Sequence, residues 1–242
     1  MWMLIFYLLI FVGIYFFIKK TDAGIAMLLP PVAKAAYKSR TAEQKRVIRY
    51  FALPDTFGGI FSMGEMSDAE YEAYLKSYLE SINFKKKALD KFELDADEIT
   101  EVVPFKLENY YYDKDKTVWK RGKDGKCRSS AYQVSWLFAT SDKFYMYSLA
   151  FWLDADTKKE IAEETFWKDI VKFSTTSEAE EISKVIGKQK NGTPIYQTQT
   201  IDVNKFIMLV SGDKFECITD GSDATERSIK GLRTKLDEKK KG

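Results

Sequence analysis

The sequence predicts an α+β protein. It reads as an N-terminal transmembrane helix, a short helical module, and a mainly antiparallel β-barrel or sandwich of about seven strands capped by a C-terminal helix. Three observations carry this. Residues 1–18 hold no charge, and only Gly13 among them is neither large nor apolar. Between Ser67 and Phe92 apolar residues recur at three- and four-residue spacing, the period of a helix. From about Glu101 the period becomes two, the period of a strand.

The first run, at 1.5 Å per residue, reaches about 27 Å, close to the hydrocarbon thickness of about 30 Å. Trp2 and Tyr15 fall near its ends, where amphipathic rings prefer to lie. Lys19 and Lys20 follow at once and reach headgroups. These four are the expected membrane-interface residues. A cleaved signal peptide needs a basic start and a shorter apolar run; here no Lys or Arg precedes the run. Between Lys19 and Arg49 stand eight basic residues, opposed by Asp22 and Glu43. Basic flanks stay inside, so the expectation is a single-pass protein of the cell membrane, N-terminus outside and C-terminal domain cytoplasmic. Two cysteines, Cys127 and Cys217, fit a reducing compartment.

The expected divisions are an anchor over 1–18, a basic juxtamembrane segment over 19–64, a helical module over 65–100 and a β domain over 101–242. Pro30-Pro31 breaks any second span. Ala33 to Tyr37 suggests a short helix. Thr41-x-x-Gln44 and Ser67-x-x-Glu70 are capping boxes that start helices, the first with Val47, Ile48 and Phe51 on one face. Gly58-Gly59 marks a loop. Lys85-Lys86-Lys87 reads as a solvated face.

Strands are expected over Val102 to Tyr112 paired with Thr117 to Trp119, then Tyr132 to Ala139, Phe144 to Leu153 and Phe166 to Phe173. Asn191-Gly192 and Ser211-Gly212-Asp213 are hairpin signals. They join Ile182 to Gln189 with Ile195 to Ile201, and Phe206 to Val210 with Lys214 to Thr219. The last helix, capped by Asp223, carries Ile229, Leu232 and Leu236 as its stripe.

Composition excludes several functions. With no histidine there is no Ser-His-Asp catalysis and no His-ligated zinc. Two cysteines cannot make a four-thiolate metal site. No Gly-rich phosphate loop appears, and a net charge of +2 does not suit a nucleic-acid binder. Asp95, Asp97, Glu98 and Glu101 miss the calcium-loop spacing. The expectation is no enzyme, no cofactor and no metal.

Three stretches resemble the pleckstrin-homology superfold in its bacterial PH-like and GRAM-like versions. Trp136 to Ser148 is similar to its strand–short turn–strand. Glu164 to Phe173 looks like the strand in which an acidic residue precedes a buried Ile, and Phe206 to Lys241 looks like the final hairpin and capping helix. The resemblance implies a binding or assembly module. Seven basic residues lie between Lys114 and Arg128. By resemblance, Lys120, Arg121, Lys123 and Arg128 are the candidates to bind anionic phospholipid headgroups, since convergent cations and bidentate Arg suit phosphate. The expected function is therefore a membrane-anchored module that recruits a protein partner, through the helical module or β-edges, or contacts lipid headgroups. The alternative is a structural subunit of a membrane assembly, and a non-His hydrolase ranks behind both.

Overall fold

The computed structural model describes residues 2–24, 37–52, 66–113, 116–188 and 193–241, apart from the side chains of 4, 15, 18–20, 52, 184–188, 194 and 196. The Pro30-Pro31 break, most of the Ala33 to Tyr37 helix, the Gly58-Gly59 loop, the Asn191-Gly192 turn and the side chains of Tyr15, Lys19 and Lys20 lie outside it. The chain forms two compact units, Met1–Ser77 with Leu153–Ala155, and Tyr78–Trp152 with Asp156–Gly242.

The first unit holds α1 (Trp2–Lys20), α2 (Ala42–Ala52) and the start of α3 (Asp68–Ser81). Helix α1 carries its large apolar side chains outward, with Trp2 85% and Phe11 72% exposed. Among the described residues no helix is long and apolar enough to cross a membrane. Both capping boxes form. Thr41 N–H donates to Gln44 Oε1 and Gln44 N–H to Thr41 Oγ1; Ser67 and Glu70 repeat the exchange. Two orphan backbone donors are thereby satisfied at each helix start. Val47 and Phe51 are buried, and Tyr50 stacks on Tyr71 at 4.7 Å.

The basic residues that follow α1 are partly engaged within this unit. Asp22 accepts from Tyr37 Oη and Lys45 Nζ, each at 3.0 Å, and from Arg49. The Lys45 hydrogen bond leads in holding the Asp22 carboxyl below its ordinary range. Arg46 pairs with Glu43 at 3.1 Å. Lys45 and Arg49 thus converge on Asp22, while Arg46 and Glu43 form a separate, exposed pair.

Among the described residues the second unit holds the end of α3, α4 (Phe84–Phe92), nine strands and α5 (Asp223–Lys241). The stretch 65–100 is therefore divided between the units. Strands β1 (Phe105–Tyr111), β4 (Ala131–Ala139), β5 (Lys143–Trp152) and β6 (Lys158–Phe166) make an antiparallel sheet in the order β1-β4-β5-β6. Within the β1–β4 connection β2 (Trp119–Arg121) and β3 (Cys127–Ser129) form a hairpin of their own. The expected pairing of residues 102–112 with 117–119 is thus replaced by β1 with β4. Strands β7 (Ile170–Lys188), β8 (Pro194–Val210) and β9 (Asp213–Thr219) make a third sheet in that order. These are separate sheets and not a closed barrel.

The four-stranded sheet is covered on both faces. The outer face turns Trp136, Phe138, Tyr145, Tyr147 and Phe151 outward. Against it lie Tyr78 and Phe84, whose rings sit 4.8 and 5.9 Å from that of Phe151, and Phe92, 5.1 Å from Tyr145. The expected solvated lysines take part: Lys85 lies over Trp136, Lys87 over Tyr147, and Lys86 bonds Asp90. Asn83 caps α4 through Lys86 N–H.

The inner face has an apolar end and a polar end. Leu107, Leu137, Phe144 and Met146 meet Phe173, Phe206 and Met208 of the third sheet and Ile229, Leu232 and Leu236 of α5 in one core. Burying each such side chain stabilises by roughly 1.5–3 kcal/mol. The stripe is the one the sequence marks. The cap is Ser222, whose Oγ accepts from Thr225 N–H, and not Asp223. Glu101 fastens the far end of α5 through Lys235 (2.6 Å) and Lys239 (3.2 Å), so it is a structural acid and not part of a cation site.

Candidate binding cleft

At the polar end the third sheet crosses the four-stranded one. Asn109 Nδ2 on β1 donates to Thr219 O at 3.0 Å, and Gln133 Oε1 on β4 accepts from Ile218 N–H at 2.6 Å. Ser135 and Ser148 bond each other at 2.9 Å beneath. Gln133, Ser135 and Ser148 are polar breaks in otherwise apolar strands and stay buried because they are hydrogen-bonded, a bond worth about 1 kcal/mol net; Asn109 is half-buried.

Beside this seam opens a cleft of about 230 Å³. Tyr111 and Gln133 come from the four-stranded sheet's inner face, Lys159 and Ile161 from its edge strand β6. Glu180, Val203 and Lys205 come from β7 and β8, and Glu216, Cys217 and Ile218 from β9. Lys205 Nζ is held by Glu180 at 2.7 Å and Glu178 at 3.6 Å. The hydrogen bond to Glu180 leads in raising its pKa, so Lys205 stays an ammonium. Burial pushes the Cys217 thiol up to about 12, so it remains a thiol near neutrality. Burial likewise raises the Tyr112 phenol, whose Oη donates to Cys127 O at 2.9 Å. These three groups are held in their unreactive protonation states, which suits recognition. Among the described residues no group of three His, Cys, Asp or Glu is placed to hold a metal.

Gln133 is only 5% exposed. Its carbonyl is used on β9, while its amide nitrogen, a two-proton donor, has no bond to a described residue. Neither does Lys159, exposed at the cleft mouth.

The four cations expected to bind headgroups lie on the β2–β3 hairpin. Arg128 is 3% exposed and grips Asp124 bidentately at 2.9 and 2.7 Å. That bond leads in holding the Asp124 carboxyl well below the ordinary range. Arg121 donates to Gln199 Oε1 at 3.0 Å and to Gly125 O at 2.5 Å. Lys120 pairs across the hairpin with Arg128, and Lys123 is exposed at the tip. Arg128 does not converge with the others on an outside anion, because it is the internal brace of the turn. The hairpin's Trp119 packs with Ile182, Ile201 and Val203 of the third sheet.

The cleft residues were not marked by sequence. Gln133 and Ser135 alternate with apolar neighbours, which reads as a solvent-facing side. That alternation was the signal, but only the crossing of β9 shows the polar side to be buried. Lys205 and Glu180 are brought together by pairing across a hairpin, which spacing alone does not reveal. The chain matches no family model, no curated protein and no solved structure.

Proposed function

We propose that the chain is a membrane-anchored binding module, held by residues 1–18 with its N-terminus outside, whose β unit recruits a protein partner at the cytoplasmic face. The observation that carries this reading is the union, in one chain, of α1 with its outward apolar side chains and a β unit whose cleft has unused hydrogen-bonding groups. The order of four antiparallel strands interrupted by the β2–β3 hairpin, three further strands and a C-terminal helix resembles that of the PH superfold and supports a PH-like reading. A protein partner is favoured over headgroups because Arg121 and Arg128 are engaged internally.

The test is extraction and topology of the full chain. In alkaline carbonate it should stay in the membrane pellet. Protease added from the cytoplasmic side should remove the β unit, and protease from outside should not. Release by carbonate, or cleavage from the outer side, would contradict the reading.

A second reading, a structural subunit of an assembly, is favoured by the β7–β8 ribbon. Strand β9 pairs with β8 only over Asn204–Val210, so the remaining ribbon has open edges, which are templates for further pairing. It predicts a stable complex after mild detergent extraction, and a monomer throughout would count against it.

A further inference from the structure

We propose that the gap between β6 and the free edge of β9 takes an extended peptide segment of a partner protein, with an acidic group toward Lys159 and Gln133 and a basic side chain toward Glu163 and Asp213. The inference rests on the reading of the β unit as a binding module, and not on the membrane anchor.

Four observations support it. First, among the described residues β9 pairs with β8 on one edge only. Alternate residues of a strand aim their N–H and C=O groups to the same side. Ile218 N–H meets Gln133 and not β8, so Glu216, two residues back, points its backbone the same way, toward the cleft it lines. An unpaired edge with alternating donors and acceptors is what an added strand requires.

Second, Gln133 is more than nine-tenths buried and lines the cleft, yet its amide protons have no partner among the described residues. The amide nitrogen is open to the cleft rather than sealed from solvent, so its two protons are available to an incoming acceptor.

Third, the charges are sorted along β6. Lys159 has no ion-pair partner among the described residues. Four residues along the same face, Glu163 is half-buried with no cation within ion-pair distance among them. Burial, and then Asp213 at the start of β9, raise its carboxyl. The other charges nearby are already matched, Lys205 with Glu180 and Lys214 with Glu216. One cation and one crowded acid pair remain, about 13 Å apart in an extended strand.

Fourth, spacing and charge complementarity together select the occupant. A peptide with opposite charges four residues apart satisfies both ends while its backbone pairs with β9. A bilayer surface reaches neither a recessed amide nor a strand edge.

The test uses the full chain in detergent micelles and labelled, end-blocked pentapeptides read by fluorescence anisotropy. The probes are Asp-Thr-Val-Thr-Lys, its reverse Lys-Thr-Val-Thr-Asp, and controls with two Asp or two Lys. One dipolar peptide should bind at least about tenfold tighter than either control, and which one does so gives the strand direction. The double variant Lys159→Glu with Glu163→Lys should prefer the reverse sequence. If that variant does not fold, Lys159→Glu alone, at an exposed position, should abolish the dipolar preference. No binding, equal binding of all four peptides, or an unchanged preference in the variants would overturn the inference. Carbonate extraction decides the anchor separately, so peptide binding by a chain that carbonate releases would sink the anchor alone.

Discussion

The two ends of the inner sheet face are built from the same four strands and finish differently. At one end Leu137, Phe144 and Met146 are sealed by Phe206 and by Leu232 of α5, with no polar atom among those side chains. At the other, two positions along β4 from Ser135, Gln133 holds β9 by one hydrogen bond and leaves a cleft beside it. The comparison separates the end that carries burial from the end at which we propose recognition. The sealed end carries burial, the dominant favourable term in folding. The open end keeps donors, at Gln133 and Lys159, with no partner among the described residues, and edge strand β6 adds Glu163, opposite Met146, whose carboxyl burial raises.

The largest expected effect breaks the sealed end. Leu232 is fully buried, and Leu232→Ala should lower unfolding free energy by about 2–5 kcal/mol. Chemical denaturation of the detergent-solubilised chain measures this. A loss below about 1 kcal/mol would mean that α5 is not the seal.

Gln133→Leu comes next. It leaves Ile218 N–H buried without its partner, at about 1–3 kcal/mol. Its particular mark is faster hydrogen exchange at Ile218. Slowed exchange there would show that the amide has another partner.

Cys217 sharpens the comparison by pH. Its thiol is raised to about 12, above its ordinary value, so at pH 8 the folded chain should not react with iodoacetamide at Cys217 except through unfolding. Rapid labelling that does not depend on denaturant would place Cys217 outside the core.

The smallest effect is expected at Glu163. A carboxyl raised in the folded state destabilises the fold once it is ionised. That penalty is absent below its unfolded value and fully present above the raised folded one. Glu163→Gln should therefore raise Tm slightly at pH 7, by about 1–2 °C, and leave it unchanged at pH 3, where both forms are neutral. A fall at pH 7 would show that the ionised carboxylate has a partner.

Legibility in the sequence followed locality. The two capping boxes, the Ile229–Leu232–Leu236 stripe and the Ser211-Gly212 turn, with Gly212 at φ +92°, depend on residues within one turn of each other and were readable. Strand β6 was not, because an edge strand with charged outward positions, Lys158, Glu160 and Glu164, has almost no apolar alternation. The long strands β7 and β8 look like separate short ones in the sequence, since their polar runs, Ser174 to Glu181 and Gln197 to Thr200, resemble loops. The hairpin cations were legible as a cluster, but their use was not. Whether Arg128 faces outward or grips Asp124 depends on the Gly122–Gly125 turn, not on composition.

Hydrogen exchange along β9 in the full chain tests the central claim, an open recognition edge beside a sealed core, most directly. The Glu216 amide should exchange roughly 100-fold faster than those of Phe215 and Cys217, which face β8, and should slow when the dipolar pentapeptide is added. Equal protection of all three amides without peptide would show a closed edge and contradict the account.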